Sequence, residues 1–193
     1  MIAKNKKNKT LVCILGQTRA QDITWKNFNK YLLKSLNADL ALCIAEKKTP
    51  NNIMYKKAKF IWNYRDLQDY TKYFSDAQNF LLKKKKIQKK PSWKKLIGIK
   101  HFWLARLKGA TKIRNNRGIY SSGTGALLIY NRWFLLQKII RHKLYEKYDR
   151  IIITRSDFIW NIHHPSMENL DPNFIWIPNG EKYGGYTDRH AVL

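Results

Sequence analysis

The chain has 193 residues, enough for one domain with a substantial core of its own. It is 44% hydrophobic and 13% aromatic, which excludes a wholly disordered polypeptide, and its 38 Lys and Arg against 13 Asp and Glu give a net charge of +25. That charge points to phosphate-bearing partners: nucleic acid, anionic lipid or a nucleotide.

A basic flexible N-terminus is expected over residues 1–9. The apolar run behind it, Leu11–Leu15, ends at Gly16. It is too short for a signal-peptide core, and no other stretch approaches the roughly 18 apolar residues of a membrane span. The chain therefore reads as cytoplasmic, with attachment to a membrane surface left open. LVCILGQ (11–17) reads as a buried strand. From Asp22, the residues Trp25, Phe28, Tyr31, Leu32 and Leu36 recur at helical spacing, and either Asp22 or Thr24 could cap that helix. ADLALCIAE (38–46) and KAKFIWNY (57–64) read as two more strands, and 66–74 as a short helix. Cys13 and Cys43 fall in the apolar runs and read as buried free thiols, with no metal-binding spacing between them.

Between Ala77 and Tyr145 there is no acidic residue. LLKKKKIQKKPSWKKLIGIKHFWLARLK (81–108) is the densest basic block, and a basic helical insertion is expected over about 81–118. Residues 125–147 read as a long, largely buried helix leading into RIIITRSDF, whose Ile151–Ile153 run suits an interior strand. FIWIP (174–178) reads as another strand. Strands alternating with helices predict an α/β fold with a mixed, mostly parallel sheet flanked by helices, in a single domain.

Open α/β sheets bind ligands beyond the carboxyl ends of their strands. Gly16, Gln17, Thr18 and Arg19 offer a close-approach glycine, two hydrogen-bonding side chains and a guanidinium, without the spacing of a P-loop or a dinucleotide fingerprint. Thr154-Arg155-Ser156-Asp157 ends a buried strand in one carboxylate. Asp157 there is either a ligand for a hard cation or the partner of Arg155. Near the C-terminus, Gly184 and Gly185 permit a tight loop, and Asp188, Arg189 and His190 bring an acid, an anion binder and an imidazole close in sequence. Asp188 could equally cap a helix starting at Arg189. His163 and His164 read as surface residues, since adjacent histidines without a third partner make no metal site.

Three segments together carry a resemblance: GQTR (16–19), YDRIIITRSDFIW (148–160) and IWIPNGEKYGGYTDRHAVL (175–193). They resemble nucleotide-sugar-dependent glycosyltransferases of the GT-A fold, in particular small algal-virus and bacterial glycan-building enzymes. The resemblance implies that TRSD stands where that fold carries its DxD motif. Asp157 would then be the metal ligand, holding Mn²⁺ or Mg²⁺, with Arg155 in place of the first Asp. It implies donor binding by Gly16, Gln17, Arg19, Arg155 and Ser156, and an acceptor-side loop with Gly184, Gly185, Arg189 and His190. Asp188 would be the catalytic carboxylate. The implied partners are a nucleotide-sugar donor and a glycan or lipid-linked acceptor. Such domains usually continue beyond a point equivalent to Leu193, so the resemblance also implies either a truncated chain or a minimal member.

Two other readings use the charge alone. A nucleic-acid-binding protein is suggested by the aromatics interleaved with Lys in 91–106, although no known nucleic-acid motif is present. A non-catalytic module on an anionic membrane would use residues 81–108, and that contact is also compatible with the enzyme reading.

Overall fold

A computed structural model describes residues 9–45, 52–65, 76, 79, 80, 83, 113–115, 118–120, 124–180 and 189–193. The chain divides into two compact units, one from residues 1–65 and 138–193 and the other from 66–137.

The first unit is built on a sheet of order β3-β2-β1-β6-β7. Its strands are β1 (Thr10–Gly16), β2 (Asp39–Ala45), β3 (Phe60–Tyr64), β6 (Arg150–Thr154) and β7 (Ala191–Val192). β1 pairs in parallel with both β2 and β6, and β2 in parallel with β3; only β7 runs antiparallel, against β6. A parallel strand with neighbours on both edges and cover on both faces reads as an unbroken apolar run, as TLVCILG does. Val12, Ile14, Leu40, Leu42, Ile44 and Ile152 form one core with Phe28, Leu32 and Met54. Each such side chain contributes roughly 1.5–3 kcal/mol when fully buried. Toward the other face, Cys13 and Cys43 are buried free thiols, and Trp62 stacks on His142 with ring centroids 5.7 Å apart.

The helix after β1 is α1 (Gln21–Phe28), continued by a π-helical turn over Asn29–Lys34. Its start differs from the sequence expectation. Ala20, in a left-handed conformation (φ 50°), occupies the N-cap position with no side-chain cap, and Asp22 and Thr24 lie inside the first turn. Thr24 is drawn away from capping because its hydroxyl donates to the Ser156 carbonyl at 2.6 Å. A short helix, α2 (Ile53–Lys57), precedes β3 and is capped by Asn52, whose side chain accepts from the Met54 N–H.

The long helix is α3 (Thr124–Arg141), six residues shorter at its end than expected. Lys143, left-handed at φ 49°, turns the chain into a 3₁₀ segment, Leu144–Glu146. Tyr148 then braces the far end of the sheet. Its hydroxyl donates to Asp39 Oδ2 at 2.6 Å, and Lys59 Nζ meets the same oxygen at 2.6 Å.

Two further expectations change. Residues 174–178 form no strand: Trp176 makes a single antiparallel bridge to Val192, and Phe174 and Ile175 are exposed. An apolar run without a paired neighbour is not held as a strand. The C-terminal residues are the strand β7, not the start of a helix, because Leu193 and Ile151 exchange backbone hydrogen bonds.

In the second unit, β4 (Ile113–Asn115) and β5 (Gly118–Tyr120) pair antiparallel with Ile113 opposite Tyr120. This hairpin pairing replaces the end of the expected helical insertion; the β-branched Ile113 and Ile119 and the aromatic Tyr120 favour strands there. Of the rest of 81–118, only Lys83 is described, and it is helical. The expected helix at 66–74 lies outside the described residues. Among the described residues no helix is long and apolar enough to cross a membrane.

Candidate functional site

β1 lies between β2, its successor in sequence, and β6, so the loops leaving β1 and β6 diverge at a topological switch point. A crevice at such a point is where open parallel sheets take their ligands. Gly16 closes β1 at φ 93°, a conformation that residues with a Cβ rarely adopt, and directs Gln17 and Arg19 outward as exposed side chains. Arg19 Nε donates to Gln17 Oε1 at 2.7 Å.

Across the switch point, Arg155 and Asp157 form a two-pronged ion pair. Nε donates to Oδ1 at 2.8 Å and Nη2 to Oδ2 at 2.5 Å. The planar guanidinium matches the carboxylate edge and uses two of its five donors to do so. Their side chains remain 41% and 25% exposed, so the pair is accessible to solvent at this edge of the sheet. Arg155 holds the Asp157 carboxyl below the usual carboxylate range by hydrogen bond and charge, and Arg19 adds a smaller contribution in the same direction. Asp157 is therefore an anion at neutral pH.

Ser156, between these two, is only 2% exposed. Its hydroxyl lies 3.1 Å from both the Gln17 and the Arg19 carbonyl, and its own carbonyl accepts from Thr24. In the described structure it ties the β1 loop to the β6 loop and presents no free hydroxyl to a ligand. Asn52 extends the edge on the other side: its Nδ2 donates to Thr18 Oγ1 at 2.6 Å.

The structure thus brings Gly16, Gln17, Arg19, Arg155, Ser156 and Asp157 together. His190 goes elsewhere. Its Nδ1 lies 3.1 Å from Thr154 Oγ1, and its Nε2 lies 3.2 Å from Nε2 of His164. His164 Nδ1 is 2.8 Å from the Pro165 carbonyl, which can only accept. The tautomers follow from that carbonyl. His164 carries its proton on Nδ1, so its Nε2 accepts from His190 Nε2–H, and His190 Nδ1 accepts from the Thr154 hydroxyl. Burial, reinforced by the neighbouring His164, pushes His190 down to about 4; burial lowers His164 as well, against its bond to Pro165. Both imidazoles are neutral at pH 7, and Trp160 packs against both rings.

The surface reading holds for His163, which is exposed and meets Tyr31 edge-on, but not for His164, which is buried. Adjacent residues in an extended segment point to opposite sides, so one of a His-His pair can face inward. That alternation is the signal that could have found it. Arg189 is half-buried beside His190. Gly184, Gly185 and Asp188 lie outside the described residues.

No protein-family model matches the chain, and no curated protein or solved structure matches it.

Among the described residues no three His, Cys, Asp or Glu side chains converge as a metal cage. Mg²⁺ and Mn²⁺ need less, because they use one or two protein carboxylates and complete their shell with water and phosphate oxygens. Asp157 fits that requirement as a single ionised carboxylate, which an ion would share with Arg155.

Proposed function

We propose that the chain is a nucleotide-sugar-dependent glycosyltransferase that binds its donor diphosphate at the crevice between the β1 and β6 loops. The observation carrying this reading is the Arg155–Asp157 pair at the switch point of a mostly parallel sheet, on a loop that Ser156 ties to Gln17 and Arg19. Breaking a sugar–phosphate bond builds negative charge on the leaving diphosphate. Guanidinium groups already oriented at that edge stabilise the charge with little reorganisation. Arg155 is oriented by Asp157, and Arg19 by Gln17. A Mn²⁺ or Mg²⁺ ion held by Asp157 would add positive charge against the same diphosphate. Asp188 is the carboxylate proposed to take the proton of the acceptor hydroxyl, which belongs to a glycan or a lipid-linked glycan.

Calorimetry with UDP, GDP and dTDP, with and without Mn²⁺, tests the reading. One of the three is expected to bind, and Arg155→Ala to weaken it about 10- to 100-fold, the worth of a charge-assisted hydrogen bond. Asp157→Ala should weaken it too. If none binds, or if both variants bind as tightly as the parent, the reading is wrong. A second reading, nucleic-acid binding, draws on the +25 charge; salt-sensitive retention on random oligonucleotides without nucleotide affinity would favour it.

A further inference from the structure

His164 and His190 are each 7% exposed, and their Nε2 atoms stand 3.2 Å apart. Each imidazole is held from its other nitrogen. The Pro165 carbonyl lies 2.8 Å from His164 Nδ1, and Thr154 Oγ1 lies 3.1 Å from His190 Nδ1. These contacts leave the two Nε2 atoms directed at each other.

Two occupants of the space between those nitrogens fit different distances. A proton there makes a hydrogen bond at the long end of the range, which for an N–H donor runs to about 3.2 Å. A tetrahedral ion bound at about 2.0–2.1 Å by each nitrogen would hold them roughly 3.3 Å apart. Histidine ligands are commonly fixed in this way, with one ring nitrogen anchored on an oxygen and the other left for the metal.

The surroundings suit an ion. Burial keeps both imidazoles neutral, so no second proton competes for their lone pairs at neutral pH. Both rings line a cavity of about 460 Å³, which gives room for water or a small anion in the remaining coordination positions. Trp160 packs on both rings, with centroids 5.8 and 5.3 Å away, and its buried Nε1–H has no acceptor among the described residues. A buried donor without a partner calls for an acceptor that the protein does not supply. A hydroxide or anion on a bound ion is an acceptor of that kind.

We propose that His164 and His190 bind one transition-metal ion, Zn²⁺ or Cu²⁺, through their Nε2 atoms, with its other positions open to the cavity. On binding, the His190 proton moves from Nε2 to Nδ1 and is donated to Thr154 Oγ1, which can accept as well as donate. No net proton is released. The ion would join the segment after β6 to the residue preceding β7, positions 26 apart in sequence. Imidazole ligands favour Zn²⁺ and Cu²⁺, whereas Mg²⁺ and Mn²⁺ favour oxygen, so this site is distinct from the one suggested for Asp157. It rests on the histidine geometry and not on sugar transfer, so a failure of nucleotide binding leaves it standing.

The test is calorimetric titration of the untagged, chelator-treated full chain with Zn²⁺. One ion per chain is expected, with a rise in melting temperature because the ion binds the folded state. His164→Gln and His190→Gln should each weaken binding by about tenfold or more. His163→Gln and Asp157→Ala should leave it unchanged, and Mn²⁺ should bind far more weakly than Zn²⁺. Because replacing a buried histidine costs stability, the parent alone supplies a second readout. In ¹⁵N NMR of the imidazoles, Zn²⁺ should shift the Nε2 signals of His164 and His190. Three results would overturn the proposal. One is no Zn²⁺ binding up to about 100 μM. Another is Zn²⁺ affinity that both buried-histidine variants retain and Asp157→Ala loses, which gives the ion to the Arg155–Asp157 edge. The third is a shift of the His163 signals in place of the buried pair, which reduces the binding to a surface histidine.

Discussion

Thr154 and Asp157 stand three residues apart at the end of one strand, and the groups around them treat charge in opposite ways. Asp157 is pulled below its ordinary titration range by a guanidinium and stays ionised at a solvent-accessible strand end. His190, tied to Thr154, is pushed down to about 4 by burial and stays neutral between Trp160 and His164. Both values are lowered, but the first shift preserves a charge and the second removes one. The difference follows from exposure: near water a partner charge dominates, and in a buried position the cost of desolvation dominates. One β-strand thereby ends in an exposed ion pair on its loop side and a buried, neutral histidine pair beside it.

The two regions share a support, and removing it should damage both. Ile152 is fully buried in β6. Ile152→Ala is expected to lower stability by about 2–5 kcal/mol, read as a shift of the urea midpoint at an unchanged slope.

Acid should separate the regions. With the folded His190 at about 4 and the unfolded side chain near 6.5, the unfolded state binds protons first as pH falls. Stability from this pair is fully present above the unfolded value, declines between the two, and is gone below the folded one. The expected loss is up to about 3 kcal/mol. Asp157 is lowered below 3.8, so its contribution survives this window and is lost only at lower pH. Urea unfolding followed from about pH 7 to about pH 4 should show the decline in the parent and a flatter profile in His190→Gln.

A smaller effect tests the hydrogen-bond direction assigned above. Thr154→Val preserves shape but leaves His190 Nδ1 without its donor, and should cost about 1–3 kcal/mol. Thr154→Ser should recover most of it. If valine is neutral, Thr154 does not donate to His190.

The smallest expected change in stability is at the ion pair. Arg155→Gln should alter the unfolding free energy by less than about 1 kcal/mol, since exposed pairs contribute little. The same variant should still reduce nucleotide affinity. If it unfolded the protein instead, the contrast between a functional surface pair and a structural buried pair would collapse.

The parts of this architecture that were legible in the sequence are those whose signal is local. β1 and β2 announce themselves because a doubly covered parallel strand has to be apolar throughout. β6 does so by its Ile151–Ile153 run, although Ile151 and Ile153 are only partly buried. The Gly16–Arg19 and Arg155–Asp157 segments follow directly as strand ends. β7 was not legible: two residues, Ala191 and Val192, become a strand only through pairing with β6. Residues 174–178 misled in the other direction, since Phe174 and Ile175 are exposed and only Trp176 bridges to β7. The histidine pair joins positions 26 residues apart, and neither carries a neighbouring signal that names the other. Ser156 illustrates a further limit. Its residue type suits a ligand, but only the fold turns its hydroxyl toward the Gln17 and Arg19 carbonyls.

The two buried thiols have a consequence for how the sheet can be observed. Cys13 and Cys43 lie on adjacent interior strands, and burial raises both, Cys43 to about 12. Only a thiolate reacts with alkylating and disulfide reagents, so neither residue is reactive while the sheet is closed. The rate of thiol modification therefore measures how often β1 and β2 become exposed to solvent, without any introduced label. Ligands that hold the β1 and β6 loops together should slow that rate in proportion to the opening they suppress.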